Sequence, residues 1–195
     1  MQLLPTLATL KKVPFIVWLW IAQAFLLVNI DAIAPAGETE HYRMILVVYM
    51  ILQIAFFKFA PKVPGFQMNL NQALIWFVAG FVVTVFVVAG FRGLGGLEVQ
   101  TYAVGAPIFL VILHTLIVAV AEEAVFRGFL PLLITPVLAQ IAFGVFHYSA
   151  YGGDMMSILI AIFAGFLFYF VMRKTNIWTV MGAHAGYNLV MLGVF

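Results

Sequence analysis

The sequence predicts an all-α, polytopic transmembrane helical bundle of about seven spans, forming a single integral membrane domain over residues 1–195. Three observations carry this prediction. Of 195 residues, 66% are hydrophobic and only 8% charged, where a soluble domain carries about 25% charged residues; a water-facing exterior cannot be built from so few. The apolar residues gather in charge-free runs, most of them about 18–20 residues long, the length a helix needs to cross ~30 Å of hydrocarbon. Gly- and Pro-containing links, Pro61–Gly65, Gly93–Gly96 and Gly152–Gly153, separate several of the runs.

Taken in order, the first run is Val13–Ile30, preceded by Lys11 and Lys12. It resembles a signal peptide, but it has no small-residue cleavage site and further spans follow, so it is expected to be retained. The second, Met44–Phe57, is short, and Arg43 and Lys58 must snorkel outward for it to span. Then come Ala73–Phe91, Tyr102–Ala121, Gly128–Phe146, Met155–Met172 and Ile177–Phe195. Short loops rich in Lys and Arg stay cytoplasmic. An inside amino terminus puts Lys11, Lys12, Lys58, Lys62, Arg173 and Lys174 inside and Asp31, Glu38, Glu40, Glu98 and Asp154 outside. The chain is therefore read as a multi-pass protein of the plasma membrane, amino terminus in the cytoplasm and carboxyl terminus outside.

Composition also excludes whole classes. Nine Lys and Arg with a net charge of +2 form no basic patch, so a nucleic-acid partner is not expected. With no cysteine there is no disulfide, no thiolate nucleophile and no Cys-type zinc site, and a metal would need His and carboxylate ligands. Ser149 lies near His147 but no acidic residue in the spans completes a Ser-His-Asp set.

Once the loop charges are assigned, Glu122, Glu123 and Arg127 remain between two apolar runs, where each charge costs at least ~2.5 kcal/mol. Glu123 and Arg127 are four apart with the acid nearer the amino end, which predicts an ion pair along one helix face. Such a pair also serves as packing glue. Glu122 is left without a local partner. Thr135 and Pro136 give a turn signal midway between Glu122 and His147, and Pro131 is expected to bend the preceding helix by removing a hydrogen bond to Arg127. A hairpin there leaves Glu122 and His147 level, each about 12 residues or ~18 Å from the turn. His184 lies ten residues beyond Lys174, or ~15 Å from the same side. Three ionisable groups from three helices are thus expected at one depth. His114, two turns before Glu122, reads as a core histidine, Phe143 reads as packing, and Asn188 suits a cross-helix hydrogen bond.

The order Glu122-Glu123-Ala-Val-Phe-Arg127-Gly128, then Phe143-Gly-Val-Phe-His147, then His184-Ala-Gly-Tyr-Asn188 resembles the three motifs of the CAAX-processing and bacteriocin-processing intramembrane protease family, also called the type II CAAX prenyl protease or Abi family. The resemblance covers about residues 115–195. It implies a peptidase with a water nucleophile inside the bilayer: Glu122 as general base, His147 sharing or positioning the water, and His184 and Asn188 donating to the oxyanion. Glu123, Arg127 and Phe143 would support the site. No cofactor is required; Glu122, His147 and His184 could also hold a divalent metal such as zinc, and the family has been described both with and without one. The implied partners are a peptide or membrane-protein substrate and the lipid bilayer. One departure from many relatives is that only 15 residues, none charged, separate Arg127 from Phe143, which removes a basic docking extension while keeping Glu122 and His147 level.

The residue chemistry agrees. A desolvated carboxyl suits general-base work, and each oxyanion donor in a low-dielectric site is worth ~3 kcal/mol. Two other readings stand beside the intramembrane endopeptidase. One is a non-proteolytic scaffold or regulator of the same fold. The other is a transporter or proton relay, which would call for paired halves, and no repeat is present.

Overall fold

The computed structural model of the chain describes residues 47–48, 51, 69–92, 107–148 and 153–191, and the regular structure among them is helical. Helix α1 (Leu70–Arg92) starts where Asn69 Oδ1 accepts the Gln72 N–H at 3.1 Å and carries no charge before its last residue. Helix α5 (Met155–Lys174) starts at Asp154, whose carboxyl accepts the Ser157 N–H at 2.8 Å. It ends on Arg173 and Lys174, cations at the negative end of its dipole. Residues Leu70–Gly90 and Met155–Lys174 are long and apolar enough to cross a membrane, and they match the third and sixth expected spans. Phe86 on α1 is 73% exposed and Phe163 on α5 is 70% exposed, while Glu122, Glu123, Arg127, Gln140 and His184 are buried. Apolar outside and polar inside inverts the soluble pattern and identifies lipid as the solvent.

Helix α2 (Ile108–Glu123) runs on through a π-helical segment, Ala124–Phe129, into the short α3 (Leu130–Leu133). The path breaks at Ile134, whose backbone is extended (φ −126°, ψ −173°). Thr135 Oγ1 then accepts the Leu138 N–H at 3.2 Å and Pro136 opens α4 (Pro136–Phe146), a preorganised helix start because proline needs no N–H there. The charge-free stretch Gly128–Phe146, expected as one span, is therefore the end of one helix and the whole of another. Its second part has 11 residues, ~16 Å, about half the hydrocarbon thickness. The hairpin foreseen at Thr135–Pro136 is the feature that divides it.

Helix α4 lies antiparallel on α5. Gly144 sits so close to the backbone of Ile158 and Ile162 that a methyl group would not fit, and Gln140 and Phe143 flank Gly165. Helix α6 (Ile177–Met191) follows the turn at Thr175–Asn176. Asn176 Oδ1 accepts the Thr179 N–H at 3.1 Å, and Asn176 Nδ2 donates to Gln72 Oε1 on α1. From there α6 packs against α1, α2 and α5. Val125, Phe126, Phe129, Phe143, Val180 and Met181 make the apolar core beneath the polar cluster.

Of the remaining expected spans, Tyr102–Ala121 corresponds to α2, described from Ile108, and Ile177–Phe195 to α6, described to Met191. Val13–Ile30 lies outside the described residues, and of Met44–Phe57 only residues 47, 48 and 51 are described, all helical.

Candidate active site

The charged motif falls where the helix changes register. Glu122 and Glu123 close α2, and Arg127 lies in the π-helical segment, a local widening that recurs at functional sites. Leu130 N–H bonds to the Val125 carbonyl, five residues back. Gln140 Nε2, from α4, donates to the Phe126 carbonyl within this segment at 3.2 Å.

Glu123 is fully buried and engages two partners through one oxygen: Arg127 Nη1 at 3.0 Å and His184 Nδ1 at 2.7 Å. The expected pairing with Arg127 is present; the link to His184 was missed, because it joins residues 61 apart in sequence. The Arg127 guanidinium also lies over the Phe143 ring, 4.0 Å from its centroid, and 5.6 Å from that of Phe168. Aromatic faces stabilise a desolvated cation by about 2 kcal/mol, so Phe143 does more than fill space. Its ring further touches His147 and His184, with centroids 4.6 and 6.0 Å apart.

Tautomers follow from these partners. The Phe143 carbonyl, 2.7 Å from His147 Nδ1, can only accept. That assigns the proton to Nδ1 and leaves Nε2 with its lone pair. Glu123 does the same for His184, and its bond to Arg127 keeps it an acceptor. Both Nε2 atoms lie 3.7 Å from Glu122 Oε2. At 3.7 Å there is no direct hydrogen bond, and Glu122 Oε2 is buried with no hydrogen-bond partner among the described residues. Three acceptors from α2, α4 and α6 thus converge, as the depth argument expected.

A group that satisfies three converging acceptors must donate protons or carry positive charge. Two imidazoles with carboxyl or carbonyl groups fixing their far nitrogens, plus a carboxylate, have the donor chemistry of a catalytic zinc shell. Among the described residues no group of three or more His, Cys, Asp and Glu is drawn together closely enough to hold a metal ion as they stand. At 3.7 Å the two Nε2 atoms are too far from Glu122 Oε2 to bond it directly and close enough to share one small group with it.

Asn188 lies one turn beyond His184 on α6, half-buried, and its side chain makes no hydrogen bond among the described residues. His114 is buried on α2, two turns before Glu122. Gln140 was overlooked in the sequence although a signal existed: it is the one amide side chain between Arg127 and His147, in a stretch that otherwise reads as lipid-facing.

No curated protein and no solved structure matches the chain. Residues 104–190 match the family described as type II CAAX prenyl endopeptidase Rce1-like, a segment that contains every residue of the cluster above and begins just before α2. The three motifs and the matched segment coincide, and over residues 104–190 the chain is similar to the type II CAAX prenyl endopeptidase Rce1-like family.

Proposed function

We propose that the protein is an intramembrane endopeptidase that hydrolyses peptide bonds with a water activated by Glu122 and ordered by His147 and His184. The observation that carries this reading is the convergence of Glu122 Oε2 and the two histidine Nε2 atoms 3.7 Å from it, around a point where a water can donate one proton to Glu122 and the other to His147. Glu122 takes one proton as the water oxygen bonds to the scissile carbonyl carbon, and the carbonyl π electrons move onto its oxygen. His147 Nε2 accepts from the same water and aims its lone pair. Asn188 donates to the developing oxyanion. His184 can donate to it only after gaining a proton, in which state Glu123 stabilises the imidazolium through Nδ1. Collapse of the intermediate breaks the C–N bond, and Glu122 returns its proton to the leaving amine.

The water is activated in this scheme without a metal. The substrates are peptide or membrane-protein segments, with CAAX-type prenylated peptides and bacteriocin-like peptides as the two classes to try first. Positive-inside placement puts the Ile134–Thr135 turn and the α5–α6 turn on the cytoplasmic side with Arg173 and Lys174, so substrate chains ending in the cytoplasm would enter from there.

The test is cleavage by the purified full chain in lipid nanodiscs against a peptide library containing prenylated members, with and without chelator. Glu122→Gln should lower kcat about 10²–10⁴-fold while the melting temperature holds. Full activity in that variant would sink the mechanism. Chelation should leave activity unchanged; loss that zinc restores would transfer water activation to a metal held by Glu122, His147 and His184.

A further inference from the structure

Helix α5 carries no residue of the three sequence motifs, yet one of its side chains reaches two of them. Ile158, Ala161 and Gly165 are its buried positions, and Phe168 continues that stripe at the spacing of one helix face. Phe163 and Phe170 on the same helix are 70% and 60% exposed, whereas Phe168 is half-buried and packs on the apolar core. One turn before it, Gly165 lets α4 approach closely at Gln140 and Phe143.

The Phe168 ring meets one group that is a cation and one that becomes so in the proposed reaction. The Arg127 guanidinium carbon lies over the ring, 5.6 Å from its centroid, and the His184 ring centroid is 5.7 Å away, tilted by 48°. Both lie within the ~6 Å reach of a cation–π contact. Arg127 Nε and Nη2 have no hydrogen-bond partner among the described residues, and the Glu123 oxygen that pairs with Nη1 is shared with His184. Aromatic faces therefore carry part of what hydrogen bonds do not.

For His184 the argument is one of orientation. Its Nδ1 bond to Glu123 fixes one end of the imidazole, but the χ2 torsion of a histidine is soft, so the neighbours of the ring decide where Nε2 lies. Phe143 of α4 is one, 6.0 Å away at 82°, and Phe168 of α5 is the second. When His184 gains the proton that it donates to the oxyanion, a second positive charge appears beside Arg127 on the single carboxylate of Glu123. An aromatic face favours that charged state over the neutral ring.

We propose that Phe168 is a positioning residue of the active site: its ring holds His184 Nε2 beside Glu122 and supports the imidazolium that forms as the oxyanion develops, while sharing the Arg127 guanidinium with Phe143. Its effect passes through His184 and Arg127 rather than through the substrate. Because the support is greatest in the transition state, it acts on kcat rather than on KM. The proposal rests on the reading of His184 as an oxyanion donor.

Its test uses fluorinated phenylalanines, which keep the outline of the ring and weaken its negative face, placed at residue 168 of the full chain in nanodiscs. A trifluorinated ring should lower kcat about tenfold, the rate equivalent of a partly desolvated cation–π contact, with KM unchanged and the mono- and difluorinated rings in between. In the His184→Gln background the same replacement should cost less than twofold. The melting temperature should decline stepwise along the series, because Arg127 is charged throughout; the same series at lipid-facing Phe163 should move neither quantity. Wild-type kcat with the trifluorinated ring, or equal losses with and without His184, would overturn the proposal, since a ring that only fills space is indifferent to both changes. A flat melting series would overturn its hold on Arg127. The two readings fail separately: a stepwise melting series at residue 168 without Glu122-dependent cleavage would refute the peptidase, whereas Glu122-dependent cleavage that ignores fluorine there would refute the role of Phe168.

Discussion

Helix α6 presents two opposite faces built on opposite principles. His184 and Asn188 lie on the face toward Glu122 and Glu123, and Gly182 and Gly186, two residues out of phase, lie on the face toward α1. On the first face, polar atoms meet at hydrogen-bond distance. On the second, backbones meet: a methyl at Gly182 would strike the Ala73 carbonyl and one at Gly186 the Phe77 carbonyl, while Gly80 of α1 abuts Ala183. Lipid offers no hydrophobic drive to press helices together, so small residues that let backbones approach do the holding. The polar face is then free to be arranged for chemistry, and stability and activity on α6 should separate by face.

The sharpest attempt to break that separation is Glu123→Gln. Glu123 belongs to both roles, because it neutralises buried Arg127 and orients His184. Removing its charge leaves a guanidinium unpaired in a dry interior, which costs about 3–5 kcal/mol. Chemical denaturation of the reconstituted protein should register that loss, and cleavage should fall with it. Wild-type stability would mean that the two aromatic faces suffice for Arg127. Next in size, His184→Gln changes the polar face alone. A drop of about 10²–10³ in kcat, or roughly 3–4 kcal/mol of barrier, is expected with little change in melting temperature. A comparable loss of stability would show that the polar face also holds the helix.

The two faces differed in legibility for the same physical reason. Glu122, Glu123, Arg127, His147 and His184 stood out because ionisable groups are expensive in apolar spans, and the turn signal with helical rise put three of them at one depth, where the structure has both histidines 3.7 Å from Glu122. The long apolar helices α1 and α5 were read nearly to the residue. What escaped were features whose meaning depends on a partner remote in sequence. The Glu123–His184 bond, the cation over Phe143 and the Gln140 bridge to Phe126 each need the helices to be assembled first. The π-helical segment Ala124–Phe129 is invisible to a 3.6-residue period. The glycines of α6 carry no signal until α1 is laid against them.

Gly186→Ala probes the packing face without touching the polar one. Its methyl must displace backbone of α1 at Phe77 and Phe81, overpacking that costs about 1–3 kcal/mol. The expected outcome is a lower melting temperature with kcat per folded molecule unchanged. A fall in kcat at full folding would couple the faces through a rotation of α6.

The smallest effect is expected outside the bundle, at Asp154, the amino-terminal cap of α5. Its carboxyl accepts from the Ser157 N–H, and hydrogen bonds from Ser157, side chain first and then backbone, hold it below the usual carboxylate range. A carboxyl depressed by folding adds stability that is complete above the unfolded value of ~3.9 and is lost as pH falls through the lower folded value. Melting followed from pH 6 to pH 2 should therefore show a downward step at the acid end that Asp154→Asn, which caps without ionising, removes. The group is exposed, so water and salt screen the charge and the step should be small. Cleavage at neutral pH should not change in Asp154→Asn, because neither face of α6 depends on this cap. A loss of activity there would mean that the α4–α5 packing behind His147 responds to how α5 begins.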